Sequence, residues 1–176
     1  VQPQSETVWM QADKYKVPRF CFVNKMDRSG ADFFRVLGEI RVKLNPNAFP
    51  LQIPIGNEEN FKGVVDLIRN KGIVWNEEDK GMTYKEVVLD SDTKSLAKEW
   101  RDKLIEKICE FDEDLMRKYF DGEEITENET NSVLRKAVIN MDIFPVLCGS
   151  SFKNKGVQYL LDSVCKYFPS PIDLKA

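Results

Sequence analysis

The sequence lacks the features of a membrane protein or a secreted protein. No apolar stretch in its 176 residues approaches the roughly 18 residues of a membrane span. The first residues, VQPQSETVW, have neither the basic nor the apolar region of a signal peptide. The sequence opens at Val1 instead of methionine, and we expect it to be a segment of a longer chain. These observations predict a soluble protein without a membrane partner.

The sequence also lacks a block of charge of one sign and any closely spaced pair of cysteines. Its 26 basic and 29 acidic residues are interleaved and leave a net charge of −3, so nothing predicts DNA binding through phosphate neutralisation. No C-x-x-C pair suggests zinc or a redox dithiol, and a reducing, cytoplasmic location suits the four cysteines. These are Cys21, Cys109, Cys148 and Cys165.

The two ends of the chain follow an α/β pattern. Residues 1–45 predict a helix, a short apolar strand and a second helix, and residues 142–176 predict a strand, a small polar turn and a last helix. Alternation of this kind is typical of a parallel sheet covered by helices, here an incomplete one. Because proline cannot donate to a ladder, Pro145 predicts that the second strand lies at a sheet edge.

The middle of the chain, residues 46–141, predicts an α+β insert. Short strand-like runs are separated by turn residues, and RNKG at 69–72 predicts a hairpin. Helical spacing then runs from residue 92 to 120 with a break near FDED, and Gly122 is expected to end that helix. Thr126 and Glu129 have the spacing of a capping box that opens another helix.

Polar residues follow the first predicted strand directly, in the run N-K-M-D at Asn24, Lys25, Met26 and Asp27. Ligand crevices of open α/β sheets lie at the carboxyl ends of strands. A fixed carboxylate accepts two parallel hydrogen bonds, and guanine offers a matching pair from N1–H and its 2-amino group. Adenine offers neither, so the tip of this strand is a candidate guanine reader.

The same four residues also have a simpler interpretation as a solvated turn. N-K-x-D arises by chance in roughly one chain in fifty at ordinary residue usage. Its place between an apolar strand and a helix favours the functional interpretation.

The sequence resembles the translational GTPases over essentially its whole length. VNKMDRSGADF is similar to their fourth G motif, VLCGSSFKNKG to their fifth, and GVVDLI and FDEDLMRKYFDGEE to the G′ insert between them. The resemblance implies part of a P-loop GTPase-type three-layer α/β/α domain, with Asn24, Lys25 and Asp27 reading the base. It also implies that a backbone N–H of the turn at Gly149, Ser150 and Ser151 meets guanine O6. The family commonly has alanine at the place of Ser151, and small GTPases carry lysine at that of Phe152.

The resemblance further implies cofactors and partners for the whole protein. These are GTP or GDP, of which this chain would hold the guanine part, Mg²⁺ held elsewhere, and the ribosome with its RNA. The G′ insert would meet the ribosomal stalk protein, and GTP hydrolysis would accompany translocation. Two alternatives stay open: an interaction module that binds no nucleotide, or a related ribosomal protection or release factor.

Two parts of the hydrolytic apparatus are missing from the sequence. No G-x-x-x-x-G-K-[ST] run occurs to cradle phosphates, and there is no histidine to stand beside an attacking water. DRSG at 27–30 copies a D-x-x-G motif but overlaps the base-reading residues, so we regard it as accidental. We therefore expect no catalytic residue in this chain and no hydrolysis by it alone.

For the other candidate residues we favour a structural interpretation over a functional one. Lys153 and Lys155 could touch ribosomal RNA, but lysines in a polar loop are more often solvated. Acidic clusters such as DGEEITENE are expected to be helix starts and turns, not metal sites. The three tryptophans are expected to be wholly or partly buried.

Overall fold

The computed structural model describes residues 1–173, so the last three residues of the predicted 142–176 segment lie outside it. Within that range there are two sheets, one parallel and one antiparallel, six α-helices and a short 3-10 helix at Glu58–Asn60. The helices are α1 (Pro3–Lys14), α2 (Phe33–Lys43), α3 (Ser91–Cys109), α4 (Glu113–Asp121), α5 (Glu127–Ile139) and α6 (Val157–Tyr167). The strands are β1 (Cys21–Val23), β2 (Ala48–Pro50), β3 (Gln52–Ile55), β4 (Gly63–Asp66), β5 (Lys71–Trp75), β6 (Tyr84–Val87) and β7 (Phe144–Cys148). The predicted α/β class is confirmed.

The parallel sheet has the order β1-β7-β2. All five residues of β7 are buried, as expected for a strand covered on both faces. The sheet therefore forms from the two ends of the chain together with β2, which lies within the range predicted for the insert. The boundary of the insert at residue 46 stays a prediction.

The prediction that the Pro145 strand lies at a sheet edge was wrong, because β7 is the central strand. Phe144 N donates to Asn47 O and Leu51 N donates to Val146 O, so these residues face β2. Since hydrogen-bonding direction alternates along a strand, the amide position of Pro145 faces β1. Pairing with β1 begins only at Cys21 and Val146, so the missing donor falls before that ladder starts.

The antiparallel sheet has the order β3-β4-β5-β6, and its strands are joined to the parallel sheet at Leu51. Leu51 N donates to Val146 O in the parallel sheet, and Leu51 O accepts from Leu67 N beyond the end of β4. The predicted hairpin joins β4 to β5. Leu51, Val64, Val65 and Ile73 are buried in one core that continues beneath both sheets.

The helices of the middle segment also follow the sequence prediction. The long helical pattern is interrupted between α3 and α4, where Asp112 caps α4 through Leu115 N. Gly122 ends α4 in the left-handed conformation, with φ of 69°. Thr126 and Glu129 form the predicted capping box of α5. Among the described helices, none combines the length and apolar character that crossing a bilayer requires.

Candidate functional site

Two loops meet at the carboxyl edge of the parallel sheet. The tip, residues 24–27, follows β1, and the turn, residues 149–151, follows β7. Because β1 and β7 are adjacent and parallel, with Val23 opposite Cys148, their following loops emerge side by side. Gly149 N donates to Val23 O at 3.0 Å, and Met26 N donates to Gly149 O at 3.1 Å. Residues that are far apart in the sequence thus form one surface.

Asn24 joins the tip to the turn through one side-chain atom. Asn24 Oδ1 accepts hydrogen bonds from Lys25 N at 2.8 Å, from Ser151 N at 3.0 Å and from Ser151 Oγ at 3.1 Å. Two backbone N–H groups point at this atom, so it must be the oxygen of the amide. The Asn24 Nδ2 group is therefore the part of the side chain left to donate to a ligand.

The same contact changes one expectation about the turn. A backbone N–H of the turn was expected to meet guanine O6, and one of these groups, the Ser151 amide, donates to Asn24 Oδ1 in this structure. A base acceptor at this position would have to share that N–H or replace the asparagine oxygen. The Ser151 side chain is exposed, whereas Gly149 and Ser150 of the same turn are buried.

Asp27 places its carboxylate beside the turn. Its side chain is 9% exposed, and Lys153 Nζ lies 3.9 Å from Asp27 Oδ2. Polar contact with Ser150 is the largest cause that holds the pKa of Asp27 below its ordinary value; burial opposes it, and Lys153 and Arg28 add to it. The Ser150 hydroxyl is buried and makes no hydrogen bond of standard geometry. The carboxylate is thus ionised near neutral pH, and its contact with a cation is loose.

Lys25 and Met26 have different places in the tip. Lys25 is exposed and has φ of 62°, a left-handed conformation that costs a residue with a side chain about 1–2 kcal/mol. Met26 is only 1% exposed, and its side chain packs in the core beneath the tip. Met26 can therefore meet a ligand only through its backbone, whereas the Lys25 stem is free to lie along one.

Gly149 is required by the closeness of the surrounding chain. A Cβ atom at this position would lie 2.3 Å from Lys155 O and 2.9 Å from the Phe22 ring. No side chain fits there without moving the backbone of the loop. The turn therefore packs directly against Phe22 of β1 and against Lys155, which follows the turn.

Lys155 does not lie where the sequence predicted. The solvated loop position we expected is wrong, because Lys155 is 3% exposed. Its ammonium donates to Phe61 O at 3.1 Å and to Glu77 Oε1 at 2.7 Å, both in the middle segment of the chain. No local pattern announces these partners, since they lie 94 and 78 residues away. Lys153, by contrast, is exposed as expected.

Comparison with known proteins gives a consistent result over the whole chain. A family model described as the elongation factor Tu GTP binding domain matches residues 1–170. Elongation factor G of Amoebophilus asiaticus (strain 5a2) is 63% identical over 175 residues, which are 99% of this chain and 25% of that protein. Elongation factor G of Karelsulcia muelleri (strain GWSS) is 56% identical over 176 residues, with the same shares covered.

A solved structure agrees with this similarity. A crystal structure of a protein from Thermus thermophilus matches with a TM-score of 0.86 and 26% identity, covering 98% of this chain and 25% of that one. The chain spans about a quarter of the length of the curated relatives it matches.

Proposed function

Because the chain belongs to the family of the elongation factor Tu GTP binding domain, we propose that its tip and turn recognise the guanine base of GTP and GDP. The observation that carries this proposal is the meeting of the two loops, in which Ser151 N lies 3.0 Å from Asn24 Oδ1 across 127 residues of sequence. Asp27 stands beside the same turn with an ionised carboxylate. The arrangement suits a planar base bound at the sheet edge.

Each group has a chemical role in this proposal. Asp27 accepts from guanine N1–H and the 2-amino group, which adenine cannot supply. Asn24 Nδ2 donates to an acceptor on the base, where guanine carries N7 and O6. Lys25 lays its methylene stem along the base while its ammonium stays in water. The turn would supply the Ser151 N–H for O6, which the base would share with Asn24 Oδ1 or take from it. Met26 holds the tip in place from below.

We propose further that the whole protein is a translational GTPase similar to elongation factor G, which hydrolyses GTP on the ribosome during translocation. The identity of 63% to elongation factor G over nearly the whole chain supports this assignment. The described residues contain no group of three or more acidic, cysteine or histidine side chains that could hold a metal ion. We expect Mg²⁺ and the phosphate cradle to be supplied by other parts of the protein, because this sequence contains no G-x-x-x-x-G-K-[ST] run.

The insert is proposed to dock on the ribosomal stalk protein. Tyr119 and Phe120 on α4 support this, because Phe120 is 77% exposed and the two rings lie 6.0 Å apart. Exposed aromatic residues are enriched at protein interfaces. An interaction module without nucleotide binding, or a ribosomal protection or release factor, is the alternative. A G-x-x-x-x-G-K-[ST] run in the neighbouring coding sequence would exclude the first, and the domains encoded after residue 176 would identify the second.

The substitution Asp27→Asn tests the base-reading role. In the gene product that carries this sequence, an amide at this position should reject guanine and accept xanthine, whose O2 accepts where guanine's amine donates. The amide oxygen can still accept from N1–H, but the Nδ2 group faces the 2-amino group of guanine, donor against donor. One hydrogen bond to a charged group, worth about 1.5–3 kcal/mol, is lost and a donor left unpaired costs about 1–3 kcal/mol more, so GDP affinity should fall roughly 10²- to 10⁴-fold. Titration with GDP and xanthosine diphosphate measures the switch. If the variant still prefers GDP, Asp27 does not read the base.

A further inference from the structure

One loop of the middle segment contacts the residues that follow each half of the proposed base site. We call residues 56–62, between β3 and β4, the bridging loop. Glu58 Oε1 accepts from Gly30 N at 2.7 Å, just beyond the tip. Phe61 O accepts from Lys155 Nζ at 3.1 Å, just beyond the turn. The insert is therefore attached to each of the two loops by a hydrogen bond from the same short segment.

Lys155 is the stronger of these two attachments. Its backbone pairs with Ser150 in both directions, with Ser150 N donating to Lys155 O at 2.9 Å and Lys155 N to Ser150 O at 3.0 Å. A buried ammonium requires hydrogen-bonding partners because it has lost the water that would otherwise solvate its charge. Among residues 1–173, the ammonium finds them in Phe61 O and Glu77. Any movement of the loop after the turn would break bonds that a buried charge cannot easily replace.

The turn between β5 and β6 adds a second surface against the same loop. A Cβ atom at Gly81 would lie 2.9 Å from both Lys153 O and Asn154 O, so the two backbones are in direct contact. Gln158 Nε2 also donates to Gly81 O at 3.2 Å. Residues 153–158 thus contact the insert at several points. The 149–151 turn directly precedes them in the chain and is held with them.

The attachment at the tip carries local strain. Glu58 has φ of 51°, a left-handed conformation that is unfavourable for a residue with a side chain. Its carboxylate reaches Gly30, which has φ of 80°. Such a conformation persists where the surrounding structure holds it. Here it directs the Glu58 carboxylate towards Gly30, which follows the tip.

We propose that Lys155 is a positioning residue for guanine recognition, holding the 149–151 turn on the bridging loop so that the insert sets the geometry of the base site. This inference rests on the proposed function. Lys155 does not touch the base; it fixes the backbone of the turn, from which the proposed function takes the donor to O6. The insert then becomes part of the nucleotide site, and a partner that displaces the bridging loop changes the affinity for guanine.

The test compares Lys155→Met with Lys62→Met in the gene product that carries this sequence. Methionine keeps an unbranched stem and removes the ammonium, and Lys62 is an exposed lysine of the bridging loop that makes the same change in charge. Three nucleotides separate the contacts: GDP, 6-thioguanosine diphosphate, which keeps N1–H and the 2-amino group but carries a weakly accepting sulfur in place of O6, and inosine diphosphate, which lacks the 2-amino group.

We expect Lys155→Met to speed GDP dissociation about 10-fold, equivalent to about 1.4 kcal/mol. The preference for GDP over the 6-thio nucleotide, which reports the contact to O6, should shrink by a similar factor. The preference for GDP over inosine diphosphate, which reports Asp27, should change less than about 2-fold. Lys62→Met should leave all three values as in the wild type. Equal loss of both preferences, or no loss of either, would overturn the positioning role.

Glu77→Gln keeps the test decisive if Lys155→Met does not fold. Glu77 is an exposed partner of the ammonium outside both loops of the site, and its amide variant weakens the same attachment. We expect a 2- to 5-fold loss confined to the O6 preference, as for one weakened hydrogen bond. Asp27→Asn is measured beside it. If Asp27→Asn switches its preference to xanthine and Glu77→Gln leaves the O6 preference unchanged, the positioning role alone is overturned. If Asp27→Asn shows no switch to xanthine, the proposed function and the positioning role are overturned together.

Discussion

Asn24 connects the two loops of the proposed base site through a single oxygen atom. Three donors converge on Asn24 Oδ1, two of them from Ser151. The asparagine therefore has two proposed roles: its oxygen holds the loops together, and its Nδ2 group is left to donate to a ligand. An aspartate could perform the first role and an alanine neither.

Replacing Asn24 by alanine should weaken GDP binding by about 1–3 kcal/mol, or roughly 5- to 150-fold. The Ser151 and Lys25 amides would lose their acceptor, and the base would lose a donor. Ser151→Ala is the matched control, since it removes only the hydroxyl contact at 3.1 Å and leaves the backbone donor. Equilibrium titration with GDP measures both variants. Equal affinity losses in the two would show that the hydroxyl, not the loop connection, matters.

Residues of the site differ in how far the sequence could predict them. Asn24 and Asp27 follow an apolar strand, and the G-S-S turn follows another, so local pattern and family resemblance pointed to both. Their meeting follows from adjacent parallel strands and could be expected. The burial of Lys155 could not, because a lysine between asparagine and glycine has the appearance of a solvated loop residue. Its acceptors are a backbone carbonyl and a glutamate whose positions depend on how the insert packs.

At the scale of elements, Glu129 on α5 forms a hydrogen-bonded ion pair with Lys118 on α4. Glu129 closes the capping box by accepting from Thr126 N at 3.0 Å, and its other oxygen accepts from Lys118 Nζ at 2.5 Å. The hydrogen bond from Lys118 is the largest cause that lowers the pKa of Glu129 to about 2, followed by those from Thr126. One carboxylate thus caps one helix and holds the end of its neighbour.

The pH dependence of stability should reveal this carboxylate. Because the pKa of Glu129 falls from 4.5 to about 2 on folding, its stabilisation is present above pH 4.5 and is lost as the pH falls towards 2. Glu129→Gln should therefore lower the melting temperature at pH 7, with a difference from wild type that shrinks at pH 3. Thermal unfolding followed by circular dichroism measures this, with Glu124→Gln in the preceding loop as control. A difference that stays constant with pH would contradict the assignment.

The strand β7 illustrates what pattern reasoning about elements can and cannot provide. Its existence, its burial and the turn after it were predicted from a run of apolar residues. Its place in the sheet was not, because the proline rule was applied to the whole strand. A proline removes one donor on one side only, and here that side precedes the first pair with β1. Which side is affected depends on the neighbours, and the sequence does not specify them.

At the scale of the whole molecule, we expect the 176-residue chain by itself to bind GDP very weakly. Phosphates supply much of the affinity of such sites through backbone amides and a lysine, and the sequence contains no G-x-x-x-x-G-K-[ST] run. Guanosine, which lacks phosphates, should bind as well as GDP does. Calorimetry of both ligands checks this, and a micromolar dissociation constant for GDP would contradict it.

The pairing of β2 with β7 has a consequence for how the insert could be exchanged. Neighbouring parallel strands need only a crossover of about a dozen residues, often a helix, and here all of 51–143 lies between them. A trimmed chain that runs from β2 straight into α5 could preserve the pairing of the sheet. It would nevertheless remove Phe61 O and Glu77 Oε1, which accept hydrogen bonds from the Lys155 ammonium. A segment that replaces residues 51–126 would therefore have to bring its own acceptors to the positions that Phe61 O and Glu77 Oε1 occupy now.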